Sequence, residues 1–258
     1  MSTRRGIKSL AVAAALLALP AGDSVHAAEI RVLFPAGLKA ATDVLVPQFE
    51  KSTGHTTSMS YANIGTITNL VRKREAADIA VVSPQQWESL RNADLFGADL
   101  RVRIAHVAVG VAVKKGASRP AVGSNDELRR TLLSVNSVGI SNPEGGGTTG
   151  NVALIAFERL GITAEMTAKT RAVKDTATLL QNVAKGEIDI GISPTTFIVQ
   201  SSDVDLAGVL PGDLQIYTEF VAGITTYAQH PEPARALIKF LRSPAAEPVF
   251  KAMGANPG

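Results

Sequence analysis

The sequence predicts an α/β fold of two lobes with a ligand cleft between them, and three observations carry that expectation. Short β-rich runs alternate with segments whose apolar residues recur at helical spacing, the pattern of β-α-β units around parallel sheets. Some of these runs, such as DIAVV at 78–82, are almost continuously apolar, as a strand buried on both faces must be. Two series of units are separated by a β-rich stretch at 101–114 and rejoined by another at 214–228, which reads as two sheets joined by two crossing segments.

Each element has its own justification. EIRVLF at 29–34 is a strand ended by Pro35, and Leu38, Ala41, Leu45, Val46 and Phe49 place a helix over 38–53 that Gly54 stops. A strand at 56–61 and a helix at 65–74, with Ile67, Leu70 and Val71 on one face, lead to the strand at 78–82. Beyond 101–114, the sequence predicts a helix at 124–133 and a strand at 137–141. The glycine-rich loop NPEGGGTTG at 142–150 opens a helix at 150–160. A strand near 168–173, a helix at 175–185 and the strand IDIGIS at 188–193 follow. Strands near 204–209 and 214–228 precede helices at 232–242 and 244–253. The expected division is residues 28–107 plus 223–258 for lobe I and 108–222 for lobe II.

Residues 1–27 read as an export signal. Arg4, Arg5 and Lys8 precede an apolar stretch at 9–19, too short to span a membrane, and Val25-His26-Ala27 offers small residues at a cleavage site. Cleavage is expected after Ala27, with Ala28 as the alternative, which places the mature chain in the periplasm. No cysteine occurs, so disulfides, thiolate metal sites, a cysteine nucleophile and a lipoprotein anchor are excluded. The whole chain carries +3 and the mature part only +1, and the few aromatics are not interleaved with basic clusters, so no nucleic-acid surface is expected. No histidine or carboxylate spacing suggests a metal site, and no cofactor is expected.

Ligands in open α/β sheets bind beyond the C-terminal strand ends. There the sequence places Ala36 and Gly37, then Asn63, Ile64, Gly65 and Thr66, then Ser83. The second half adds Gly146, Gly147, Thr148 and Thr149, then Thr176, then Ser193 and Thr195. Several of these residues open helices, whose unpaired N–H groups bind anions without a formal cation, and glycines let the backbone approach closely. The expected ligand is therefore a small anion. Lys39, Arg72, Arg171 and Lys174 are candidates for pairing with its carboxylates.

The segments VLFPAGLKAATDVLVPQFEKSTG, YANIGTITNLV, ADIAVVSPQQW, VGISNPEGGGTTGNVALIAFERLGI, VAKGEIDIGIS and HPEPARALIKFLRSPAAEPVF resemble, in order and spacing, the periplasmic molybdate-binding-protein family of ABC importers. The resemblance implies a type II periplasmic binding protein, a monomer, with an ABC permease as a candidate partner. Molybdate-binding members present a serine in the first loop, another in the second and commonly a tyrosine after the strand that is 188–193 here. This chain has Gly37, Asn63-Ile64 and Pro194 in those places. The GGGTTG loop, the FPAG start and LPGDLQIYTEFVAGI are closer to a branch that resembles aconitate isomerase. That resemblance implies cis/trans-aconitate interconversion by allylic proton transfer, which needs a base; the candidates are Glu144, Asp175, His106 and Tyr61. The rival reading is the substrate-binding component of an importer for molybdate, another oxyanion, or a di- or tricarboxylate.

Overall fold

A computed structural model describes residues 27–97, 101–143 and 148–258. Residues 1–26 of the expected signal segment 1–27, and Glu144, Gly146 and Gly147, lie outside the described residues.

The first sheet has six strands. β1 (Glu29–Pro35), β2 (Thr56–Ala62) and β3 (Ile79–Val82) run parallel, and β4 (Val102–Val107), β10 (Thr218–Ile224) and β11 (Asn256–Pro257) extend it in the order β11-β4-β10-β3-β1-β2. Helices cover both faces. On one, Phe34, Leu45 and Phe49 pack with Leu237 and Phe250, from α1 (Lys39–Thr53), α9 (Pro231–Leu241) and α10 (Glu247–Ala252). On the other, Ile67 and Val71 of α2 (Ile64–Arg72) pack with Trp87 and Leu90 of α3 (Pro84–Asn92). All four residues of β3 are consequently buried, which explains its unbroken apolar sequence. At the far end of the sheet, the buried Asp78 carboxylate accepts the N–H groups of Arg31 (2.9 Å), Gln229 (2.7 Å) and His230 (2.8 Å), pinning β1 to the approach to α9.

The second sheet has the order β7-β6-β8-β5-β9, from β5 (Val109–Lys114), β6 (Val138–Ser141), β7 (Thr170–Val173), β8 (Ile190–Pro194) and β9 (Val204–Val209). α4 (Asn125–Ser134), α5 (Thr148–Arg159), α6 (Thr163–Lys169), α7 (Thr176–Lys185) and α8 (Thr195–Gln200) surround it. Its core also has two faces, one built on Ile140, Phe157 and Ile192 and the other on Leu179, Val183 and Ile198. The two-lobed α/β fold is thus as the sequence predicts.

Three features differ from the sequence reading. The stretch 101–114, read as one β-rich segment, is two strands, one in each sheet, divided at Ala108, the position of the expected boundary between lobes I and II. The stretch 214–228 holds a shorter strand, because Gly212–Leu214 forms a 3₁₀ turn and Thr225 lies beyond β10. β10 pairs with β3 and β4 over its length, so the second crossing falls before Thr218, not at 222–223. Finally, α3, α6 and α8, of nine, seven and six residues, are helices that the sequence reading does not give.

Candidate functional site

The parallel strands of the first sheet end at Pro35, Ala62 and Val82, and those of the second at Ser141, Val173 and Pro194. The two sets of following loops meet. A Cβ placed on Gly37, in the 3₁₀ turn Ala36–Leu38 after β1, would stand 3.6 Å from the Phe197 ring and 3.8 Å from Thr196 Oγ1 on α8 of the other lobe. The cleft between these loops is the candidate site.

Two ties define its floor. The first crossing, Val107 to Val109, is held by Gln215 on the returning segment. The Gln215 Oε1 accepts the Val109 N–H at 2.9 Å, and its Nε2 donates to the carbonyls of Val109 (2.9 Å) and Leu210 (3.2 Å). One side chain thereby replaces a strand of backbone pairing. On the other side, Thr195 gives its N–H to Ala108 O (2.9 Å) and its hydroxyl to Ala108 O (3.1 Å) and Gly254 O (2.6 Å). Gly254 has φ +78°, and a Cβ there would press on the Thr195 carbonyl at 2.8 Å, so only glycine permits this approach.

The first-lobe residues are mostly occupied. Asn63 is the N-cap of α2 and accepts the Thr66 N–H at 2.8 Å; Ile64, Gly65 and Thr66 form the first turn. Ser83 caps α3 by accepting the Gln86 N–H at 3.3 Å. Ala36 is exposed beside Gly37. In the second lobe, Thr149 is buried in the first turn of α5, and Gly150 lies so close to β6 that a Cβ would collide with the Ser141 carbonyl. Thr148 begins that helix and Thr176 begins α7. Thr195, expected at the ligand, spends its hydroxyl on the crossing instead. Ser193 is fully buried, and its Oγ finds no partner among the described residues.

The candidate bases separate. Asp175 is the N-cap of α7, accepting the Thr178 N–H at 2.7 Å; that bond, then Lys174, holds the carboxyl below the ordinary aspartate range. It is therefore a weaker base than expected, and its negative charge already answers the positive end of α7. Tyr61 ends near the start of α1, with its hydroxyl 2.8 Å from Thr42 Oγ1 and Lys39 Nζ 5.2 Å from the ring centre; burial pushes the phenol up. His106 lies on β4 next to the first crossing, opposite Glu219 and edge-on to Tyr217 at 4.9 Å. Burial, then Arg103, pushes its imidazole below the usual value, and Nδ1 is buried without a partner among the described residues. A neutral imidazole at pH 7 can accept a proton, whereas a phenol held protonated can donate one.

The four basic candidates are all engaged locally. Lys39 pairs with Asp43 at 2.6 Å, Arg72 donates to Ser89 Oγ at 2.9 Å, Arg171 to the carbonyls of Ala168 and Thr170, and Lys174 lies 3.8 Å from Asp175. The cleft offers hydroxyl and N–H donors more than cations. No group of three histidine, aspartate or glutamate side chains among the described residues is placed to hold a metal ion.

A family model described as bacterial extracellular solute-binding protein matches residues 30–256. An aconitate isomerase from Pseudomonas sp is 26% identical over 257 residues, covering 97% of each chain. A molybdate-binding protein from Escherichia coli is 22% identical over 254 residues, covering 97% of this chain and 98% of that one. Among solved structures, the substrate-binding domain assigned to a molybdenum ABC transporter of Clostridium difficile superposes with a TM-score of 0.81 at 15% identity, over 90% of this chain and all of that one. The periplasmic molybdate-binding protein of Azotobacter vinelandii gives 0.64 at 20% identity, over 89% and 99%.

Proposed function

From the premise that the chain belongs to the bacterial extracellular solute-binding proteins, we propose that its cleft takes a small organic polyanion, a tricarboxylate, and interconverts cis- and trans-aconitate. The observation that carries this reading is Gly37. Its φ is not positive and a Cβ would meet only ordinary contacts, so neither backbone nor packing demands glycine. What glycine leaves is room for about one more methyl-sized group between the lobes, and we take this to favour a ligand larger than a tetrahedral oxyanion. The similarity to an aconitate isomerase along both whole chains supports the same choice.

The chemistry asks little beyond acid–base groups. A base takes a proton from the methylene carbon of aconitate, the double bond shifts by one carbon, and a proton is returned to the former vinylic carbon. Atoms and charge balance, and no redox partner takes part. Neutral donors in the cleft would steady the charge that spreads into the adjacent carboxylate. His106 has the protonation an acceptor needs and Tyr61 that of a donor, but they stand on β4 and β2, four strands apart in the sheet, so the two do not act together on one ligand.

A second reading has its own support: relatives and solved neighbours described as molybdate-binding proteins favour a receptor that delivers an oxyanion or a carboxylate to an ABC permease. Both readings place the mature monomer in the periplasm after cleavage at Ala27, which the mass of the exported chain would check. No helix among the described residues is long and apolar enough to cross a membrane. The deciding experiment mixes purified protein with trans-aconitate and follows cis-aconitate by NMR. Turnover is expected; its absence, together with tight molybdate binding by calorimetry, would overturn the isomerase.

A further inference from the structure

Threonine hydroxyls in this chain usually satisfy themselves against the helix they sit on. Thr42, Thr68, Thr167 and Thr170 each donate to a carbonyl one turn back, at 2.7–2.8 Å. Thr195 spends its hydroxyl on the crossing segment and on Gly254. Thr196 does neither. It is only 2% exposed, in the first turn of α8, and its hydroxyl makes no hydrogen bond among the described residues. Unlike the Ser193 Oγ, the Thr196 oxygen is not fully enclosed, so this unspent donor is still within reach of a small solute.

Thr196 Oγ1 stands 3.8 Å from where a Cβ on Gly37 would lie, on the opposite lobe. The loop residue without a side chain and the buried threonine without a bond therefore face each other across the cleft. The Phe197 ring, 3.6 Å from the same point, closes the space on one side. A carboxylate oxygen entering the gap would meet the hydroxyl that nothing else uses, with an apolar wall beside it.

We propose that Thr196 is a ligand-contacting residue of the cleft, its hydroxyl donating to a carboxylate held in the space that Gly37 leaves open. The proposal rests on the reading of the cleft as a site for a small carboxylate anion. It concerns the side chain and not the N–H groups of α8, a helix of six residues.

The test measures trans-aconitate and molybdate binding by calorimetry on the full mature chain, with Thr196→Val and Thr196→Ser beside the parent. Valine keeps the shape and removes the hydroxyl; serine keeps the hydroxyl. Thr196→Val is expected to weaken trans-aconitate at least tenfold while its Tm stays unchanged, because the hydroxyl it removes makes no bond within the described residues. Thr196→Ser is expected to stay within about threefold of the parent, about half the free energy of a tenfold loss. Undiminished trans-aconitate binding by Thr196→Val overturns the proposal, as does a parallel fall of affinity and Tm, which would mark a structural role. A parent chain that binds molybdate but not trans-aconitate overturns the carboxylate reading; the Thr196 contact then falls with it. Loss confined to the variant, with the parent binding trans-aconitate, leaves that reading standing and supports the contact.

Discussion

The two rims of the cleft are built from the same residue types and use them differently. On the first lobe, Asn63 and Ser83 turn their side chains back on their own helices as N-caps, and Gly37 has no side chain to offer. On the second, Asp175 is also a cap, but Thr195 reaches across to Ala108 and Gly254, the Ser193 hydroxyl is fully enclosed without a partner, and the Thr196 hydroxyl is unbonded but not fully enclosed among the described residues. The first rim therefore presents backbone, and the second presents side chains with unspent donors. A polar residue at a strand end thus says little until its partner is known.

The sharpest way to break this picture is to unseat the second rim. Gly150→Ala drives a methyl into the Ser141 carbonyl, so α5 must shift off β6. Backbone collisions of this kind cost up to ~3 kcal/mol, or roughly 6–12 °C in Tm for a chain of this size. Thermal unfolding would show it, with anion affinity falling as well. Gly37→Ala, whose methyl meets only ordinary contacts, is expected to leave Tm within about 1 °C of the parent, a surface-sized change.

Next in size is Thr195→Val. It removes the hydroxyl bonds to Ala108 O and Gly254 O and leaves the Gly254 carbonyl short of a donor. The expected loss is about 2 kcal/mol by denaturant titration. Because these bonds tie the second lobe to the crossing and to the C-terminal segment, small-angle scattering is also expected to show a more open average shape. The neighbouring Thr196→Val should do neither, so two adjacent threonines separate a tie from a donor.

That separation also marks what the sequence could and could not show. The lobes, the strand-end loops and the helix starts were legible because apolar periodicity and glycine placement are local. The difference between Thr195 and Thr196 was not, since it depends on Ala108 and Gly254, 87 and 59 residues away. Thr196 lies in the strand-end loop Ser193 to Thr196 that the sequence marks for donors, but only the structure, leaving its hydroxyl unbonded opposite Gly37, separates it from its neighbours. Gln215 was invisible for the same reason, its amide standing in for a strand against Val109, 106 residues earlier.

On the first rim the caps can be separated from any ligand role. Asn63→Ala should cost ~1 kcal/mol through the lost bond to the Thr66 N–H. Asn63→Asp keeps that acceptor, and its charge favours the helix N-terminus, so stability is retained or improved. The same charge beside the cleft should weaken anion binding, measured by calorimetry. If anion binding instead survives Asn63→Asp unchanged, α2 does not face the ligand and the first rim contributes through Gly37 alone.

The smallest effect concerns Asp175 and is set by pH. Its folded-state carboxyl is held below the ordinary value of 3.8, chiefly by the Thr178 N–H. A depressed pKa contributes stability that is complete above 3.8 and is lost as pH falls through the lower folded value. Asp175→Asn keeps an acceptor for the cap but removes the charge, so the stability gap between this variant and the parent should be present at pH 7 and close in strong acid. The same substitution removes a negative charge from the N-terminus of α7, at the mouth of a cleft proposed to hold an anion. Anion affinity should therefore rise roughly twofold to fivefold at low salt and converge with the parent as salt screens the charge. Turnover of trans-aconitate should persist in Asp175→Asn, because a carboxylate committed to a helix cap is not the proton acceptor; its loss would return Asp175 to the reaction and make the second rim catalytic.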